Sequence, residues 1–223
     1  MDNVKKELIE LMVRSGVLIF GDFTTKSGRK TPYFVNTGNF KTGAQLDKLG
    51  ALYAAKINQV VGDEFDMLFG PAYKGIPLAC AAAIHLSGEF GIDKPYCFNR
   101  KEEKDHGEGG AIVGYAPKDR DRVVITEDVI TAGTAVRETI DLFKTVAAVE
   151  FKAIIISVDR REKGTGDKSA LDEIEQNFGI KVHPIVTVYD IIEYLYNNPV
   201  DGKIYIDDNI KSMMEQYLGV YGV

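Results

Sequence analysis

The stretch VVITEDVITAGTA, residues 123–135, changes character twice within a short span. It opens on β-branched residues, whose stiff side chains suit a pleated strand. Two adjacent carboxylates, Glu127 and Asp128, close that run, and Val129, Ile130, Thr131, Ala132, Gly133, Thr134 and Ala135 follow. The second half lacks bulky polar side chains and offers backbone N–H groups, the conformational freedom of Gly133 and two threonine hydroxyls. A strand that ends in acid and passes through small residues into a helix reads as a binding loop at the edge of a sheet, with Thr131 through Thr134 entering that helix.

The flanking sequence repeats the alternation. FDMLFG (65–70) predicts a strand ending at Gly70, and KGIPLACAAAIHL (74–86) a helix. DRVVIT (121–126) is the strand before the acidic pair, and TAVRETIDLFKTV (134–146) the helix after it. FKAIIISVD (151–159) and KVHPIVTVY (181–189) are further strands, with the helical SALDEIEQNF (169–178) between them. Val- and Ile-rich strands, each separated by enough chain for a helix, predict an α/β fold with a central parallel sheet flanked by helices on both faces. Such sheets place ligands beyond the carboxyl ends of their strands.

The amino-terminal part is less regular. Residues 1–13 predict a helix with Val4, Leu8, Leu11 and Met12 on one face, and SGVLIFGDFTTKSGRKTPYFVNTG (15–38) reads as short strands and turns. Thr42 and Gln45 have capping-box spacing before a helix that runs to about Asn58. Residues 1 to about 60 are therefore expected to form a small hood-like subdomain within a single domain spanning 1–223. Asp190 to Glu193 has the spacing of another capping box, and the apolar carboxyl-terminal residues read as packing.

Composition narrows the function classes. With 27 basic and 33 acidic residues, a formal charge of −6, the chain carries no global attraction for nucleic acid or anionic lipid. MDNVKKELIELM is interrupted by charge and does not read as a signal peptide, and no apolar run is long enough to span a bilayer, so cytoplasmic residence is expected. Cys80 and Cys97 are read as buried thiols, and the scattered histidines form no zinc motif. His85 and His183 are read as structural.

Several residues carry chemistry. Backbone N–H groups at the start of the helix after Asp128 can hold a phosphate, with Thr hydroxyls adding hydrogen bonds. Glu127 and Asp128 would repel that phosphate, so they suit sugar hydroxyls or a divalent cation, and the combination points to a sugar phosphate. In CFNRKEEKDHGEGG (97–110), Arg100, Lys101, Lys104 and His106 can gather around pyrophosphate, although Glu102, Glu103, Asp105 and Glu108 fit a solvated charged loop equally. Arg160, after the apolar run, presents a donor fork or a surface ion pair. Lys26 is a ligand-contacting or a solvated loop lysine, and Lys74 lies near a strand-to-helix turn suited to anions. Tyr33, Phe34 and Phe40 can wall a planar pocket or fill the core.

TEDVITAGTA (126–135) resembles the signature of type I phosphoribosyltransferases, in which the acidic pair is more often Asp-Asp than Glu-Asp. The wider chain resembles the orotate phosphoribosyltransferase family: FGDFTTKSGRKTPYFVNTG (20–38), LFGPAYKGIPLA (68–79), PYCFNRKEEKDHGEGG (95–110), TEDVITAGTA and ISVDRREKG (156–164) occur in that family's order. No Walker A pattern is present.

The resemblance implies a type I phosphoribosyltransferase-like fold and transfer of phosphoribose from 5-phosphoribosyl 1-diphosphate to orotate with Mg²⁺, giving orotidine 5′-phosphate. It implies orotate recognition by Lys26, Phe34, Val35, Thr131 and Arg160, with Val35 standing where an aromatic is common. Tyr73, Lys74, Arg100, Lys101, Lys104 and His106 are implied near the diphosphate, and residues 127–135 around the ribose 5-phosphate. Lys104, His106 and Asp128 are the implied catalytic residues, the first two on a mobile loop that reaches across a homodimer to complete the neighbour's site. No protein cage of metal ligands is expected. Transfer to another nucleobase, or phosphoribosyl-diphosphate binding without catalysis, are the competing readings.

Overall fold

The structure is a computed structural model and describes residues 1–25, 28–101, 110–164 and 166–223. Its centre is a six-stranded sheet in the order β5-β4-β3-β6-β7-β8, formed by β3 (Met67–Gly70), β4 (Tyr96–Asn99), β5 (Ile112–Gly114), β6 (Arg122–Glu127), β7 (Glu150–Asp159) and β8 (Val182–Thr187). All neighbours pair in parallel except β4 and β5, so one antiparallel edge strand closes an otherwise parallel sheet. The two strands β4 and β5 went unpredicted, because four and three residues beside a charged segment give too little periodicity to read.

Alternation along the strands sorts side chains to two faces. Leu68, Val124, Ala153 and Ile155 join one core with α1 (Asn3–Arg14), α2 (Gly43–Val60), α3 (Gly75–Phe90), α6 (Val188–Leu195) and α7 (Asp208–Tyr221). Met67, Phe69, Val123, Ile125, Ile154 and Ile156 face the other way, onto α4 (Thr134–Val146) and α5 (Ala170–Phe178). Both faces are covered, which is why these strands read as continuous apolar runs.

Within residues 1–60, where a hood is expected, an antiparallel pair of β1 (Leu18–Thr24) and β2 (Lys30–Val35) is followed by a short 3-10 turn at Thr37–Asn39. Leu18 and Tyr33 enter the same core as α1 and α2, whereas Ile19 and Phe34 face outward. Tyr33 meets Tyr217 of α7 edge to face at 6.0 Å, so the carboxyl-terminal helix packs against the hood. Tyr33 is thus core, as an aromatic at 1% exposure must be, and Phe40 lies partly buried against it.

Local signals explain most boundaries, and four expectations are corrected. Thr42 and Gln45 form the capping box of α2, and Ser169 with Asp172 caps α5. The second carboxyl-terminal box starts at Thr187, whose hydroxyl accepts from Asp190 N–H while Asp190 bonds back, so Asp190 is the third residue of α6 rather than its cap. That cap ends β8 at Thr187 and moves Val188 and Tyr189 into helix. The helix after the acidic pair begins only at Thr134, leaving Thr131 to Gly133 in the loop, and Cys80 is half-buried while Cys97 is buried. Among the described residues no helix is long and apolar enough to cross a membrane.

At the turn from β3 to α3, the helix start lies against the backbone of β6. A methyl group at Gly75 would lie 2.6 Å from Pro71 Cδ and 2.8 Å from the Thr126 carbonyl oxygen, and neither can swing away. Gly75→Ala is expected to cost about 3 kcal/mol in urea unfolding, by overpacking. Gly88→Ala, in the same helix with open space around it, is expected to be neutral or stabilising by up to ~1 kcal/mol. Equal midpoints for the two variants would contradict this packing.

Candidate active site

β6 lies between β3 and β7, so its carboxyl end opens at the middle of the sheet. Glu127 is its last residue and Asp128 the first beyond it, and they are only 7% and 8% exposed, so they do not form a solvated acidic turn. The backbone that carries them is tied on two sides. The Tyr53 hydroxyl, from α2, donates to the Glu127 carbonyl at 2.6 Å. Ser157, on β7, donates to the Asp128 carbonyl from its amide at 2.9 Å and from its hydroxyl at 2.6 Å.

The two carboxyl groups then part in character. Asp128 Oδ2 accepts from the Thr37 hydroxyl at 2.5 Å and from Lys74 Nζ at 2.8 Å, and Lys74 Nζ also reaches the Thr37 oxygen at 2.9 Å. Burial alone would raise the Asp128 pKa, but the hydrogen bonds from Lys74 and Thr37 outweigh it and hold this carboxyl below the usual range. Glu127 folds back to accept from the Asp128 amide at 3.0 Å. Burial, with the Asp128 charge beside it, pushes Glu127 up to about 8 despite that hydrogen bond. Burial thus raises one member of the pair, while hydrogen bonds from a cation and a hydroxyl lower the other.

Beyond Asp128 the chain runs through Val129 to Ala132 and reaches Gly133, the residue that caps α4, at φ +68°. A Cβ there would adopt strained backbone and press on Ile174 Cδ1 at 3.3 Å, which explains a glycine at this place. No side chain among the described residues caps α4, and residues 134–136 of its first turn join Glu127 and residues 129–133 in lining a cavity of about 260 Å³. Thr131, Ala132, Thr134 and Ala135 are exposed around it. A helix start with open donors and small walls is suited to a phosphate. A second cavity, about 350 Å³, lies under the Thr37 turn between Phe40, Tyr53, Lys74, Leu78 and Asp128. A further cavity of about 260 Å³, beside Asp159, Arg161 and Tyr189, includes none of the expected ligand residues.

The remaining expected residues gather in two groups. Tyr73 is 67% exposed with Lys101 Nζ 5.4 Å from its ring centre, and Asn99 Oδ1 accepts from the Ala72 amide at 2.7 Å, joining the Tyr73–Lys74 turn to the end of β4 where Arg100 and Lys101 follow. Arg160 lies across Tyr33, its Cζ 5.5 Å from the ring centre, with Nη2 2.7 Å from Glu162 Oε1. Phe34, next to Tyr33, is outward and 5.8 Å from Phe23, whereas Val35 is half-buried against the core. Lys26, Lys104 and His106 lie outside the described residues. Sequence reasoning missed Thr37, Tyr53 and Ser157 because they reach the acidic pair only through folding; Thr37 lies 91 positions from Asp128.

Residues 36–186 match the family model described as "Phosphoribosyl transferase domain". The chain is 54% identical over 223 residues to an orotate phosphoribosyltransferase of Clostridium acetobutylicum, with 100% of both chains covered. It belongs to the orotate phosphoribosyltransferase family. An orotate phosphoribosyltransferase of Lachnoclostridium phytofermentans is likewise 54% identical, covering 100% of this chain and 99% of the relative. The crystal structure of orotate phosphoribosyltransferase from Francisella tularensis superposes with a TM-score of 0.83 at 39% identity, covering 96% of this chain and 98% of that one. The type I phosphoribosyltransferase-like sheet and its flanking helices are thus those of the orotate phosphoribosyltransferase family.

The acidic pair gives a pH signature. Glu127 keeps its proton in the folded chain from its ordinary value of 4.5 up to about 8, so folding stability falls as pH rises through that window. Asp128 acts oppositely: its contribution is complete above the ordinary carboxylate value and is lost as pH falls through its lowered one. Glu127→Gln is expected to lose less stability than the parent between about pH 5 and about pH 8.5, by on the order of 2 kcal/mol, in urea melts at each pH. Parallel pH profiles would contradict a neutral Glu127.

Proposed function

We propose that the chain transfers the phosphoribosyl group of 5-phosphoribosyl 1-diphosphate to orotate, forming orotidine 5′-phosphate and diphosphate on the route to UMP. The observation that carries this reading is the ionised Asp128 beside the open start of α4: one presents an anion to sugar hydroxyls, the other presents N–H donors to a phosphate. Family membership identifies the acceptor.

In this reaction the orotate ring nitrogen gives up its proton to solvent and forms a bond to C1 of the ribose, while the bond from C1 to the diphosphate oxygen breaks and its electron pair leaves with diphosphate. The sugar becomes electron-poor and the leaving group gains negative charge, so stabilising both is the task of the site. Asp128 and Glu127 face the ribose hydroxyls, and residues 129–135 with their N–H groups hold the 5-phosphate. Lys74 is engaged by Asp128 and Thr37. Ribose hydroxyls that replace it at Asp128 release this cation toward the diphosphate, where Tyr73, Arg100 and Lys101 also stand. Lys104 and His106 complete that side from the neighbouring subunit of a homodimer, and Lys26, Phe34, Val35, Thr131 and Arg160 recognise orotate.

The donor set suits Mg²⁺ held chiefly by substrate oxygens and water. Glu127 and Asp128, at the end of β6, would offer such an ion hard oxygen atoms. When bound, the ion neutralises charge on the diphosphate.

A product-resolved reaction tests the reading. Orotidine 5′-phosphate is expected only when orotate, phosphoribosyl diphosphate and Mg²⁺ are all present, and Lys104→Ala is expected to lower the rate about 100-fold, the scale of one transition-state cation. Turnover of adenine or guanine without orotate conversion would overturn the acceptor. Ligand binding with no diphosphate release would overturn the enzyme reading, and normal turnover by Lys104→Ala would overturn that residue's role.

A further inference from the structure

Arg160, Glu162 and Tyr33 meet where the end of β7, the turn after it and the hood strand β2 converge. Arg161 has φ +50°, so the chain turns sharply between Arg160 and Glu162. Arg160 Nη2 approaches Glu162 Oε1 to 2.7 Å, but its N–H is not aligned for a hydrogen bond, so the contact is one of charge. Arg160 Nε is likewise shielded from water and has no hydrogen-bond partner among the described residues. Two unmet donors on one buried fork are costly. What keeps the guanidinium in place is the Glu162 carboxylate on one side and the Tyr33 ring, 5.5 Å from Cζ, on the other.

Glu162 is itself fixed. The Tyr33 hydroxyl donates to the same Oε1 at 2.8 Å. Burial and the Glu162 charge raise the Tyr33 pKa well above its usual value, so this phenol remains a donor at neutral pH. The backbone around Glu162 is held by the carboxyl terminus: Lys163 N–H donates to the Tyr221 carbonyl at 2.8 Å and Val223 N–H to the Arg161 carbonyl at 3.0 Å. The hood and the carboxyl-terminal end thus close on one glutamate, which holds one arginine.

We propose that Glu162, steadied by Tyr33, is a positioning residue for Arg160 and thereby sets affinity for the orotate carboxylate. The inference rests on the orotate-transfer reading above. An ion pair kept only for stability gains little over apolar packing of the same volume. Here the pair leaves Nε and Nη2 shielded and without hydrogen bonds among the described residues, while the Arg160 side chain as a whole keeps 24% exposure, and that open part is where an acidic ligand would meet it.

The test is steady-state kinetics on the full chain, the parent beside Glu162→Gln, Tyr33→Phe and the double variant. Glu162→Gln is expected to raise KM for orotate roughly tenfold, ~1.4 kcal/mol, with KM for phosphoribosyl diphosphate changed less than about twofold. Tyr33→Phe is expected to raise the same KM by about threefold, and the double variant to fall short of the product of the two effects, since both act through one carboxylate. An unchanged KM for orotate in Glu162→Gln, or an equal rise for both substrates, overturns the proposal. Should Glu162→Gln fail to fold, Tyr33→Phe decides alone: no rise in KM for orotate overturns it. A parent that binds phosphoribosyl diphosphate but never consumes orotate overturns the transfer reading itself, an outcome distinct from a working parent with unaffected variants.

Discussion

The contact between the Asp128 carboxylate, the Lys74 ammonium and the Thr37 hydroxyl is the interaction on which the site depends. A carboxylate at 8% exposure stays ionised only if something repays its lost hydration, and here a cation and a hydroxyl do so at one oxygen. The same contact joins three parts of the chain: the hood turn, the start of α3 and the end of β6. It also explains why the neighbouring acid behaves differently. With no ion pair among the described residues, Glu127 yields to burial and turns its carboxyl onto a backbone amide.

The sheet makes that contact possible. Placing β6 between β3 and β7 brings the loop after β6 beside the loop after β3, and Lys74 stands on the latter. Parallel pairing sets both strand ends at the same edge, so two turns separated by some fifty positions in sequence present their groups to one space. Close backbone approach at Gly75 keeps α3 near enough to β6 for the lysine to reach. On the far side, Tyr33 and Glu162 lead the hood and the carboxyl terminus to Arg160. The two cations Lys74 and Arg160 are thus held by different carboxylates, Asp128 and Glu162.

Much of this was legible in the amino-acid sequence, and the rest fails for identifiable reasons. Strands β3, β6 and β7 are covered on both faces, and their unbroken apolar runs show it. Capping at Thr42 is local and could be read from spacing, whereas the Asp190 box was misplaced by one turn because Thr187 sits within an apolar run that continues the strand pattern. β4 and β5 are too short to announce themselves. At the site, the acidic pair and the small-residue loop were visible as a motif, but the burial that divides Glu127 from Asp128 arises from Tyr53, Ser157 and Thr37, which no local pattern connects to it. Arg160 left two readings open, and the fold shows the ion pair of one of them, to Glu162, on a side chain that keeps 24% exposure.

A crystal structure with phosphoribosyl diphosphate and a non-reacting orotate analogue tests the central claim most directly. The expected result is the 5-phosphate within hydrogen-bond reach of the N–H groups of residues 131–135, ribose hydroxyls on Asp128, and Lys74 moved from Asp128 toward the diphosphate. A sugar phosphate bound elsewhere, with the Lys74–Asp128 contact intact and residues 127–134 touching only protein, would contradict it.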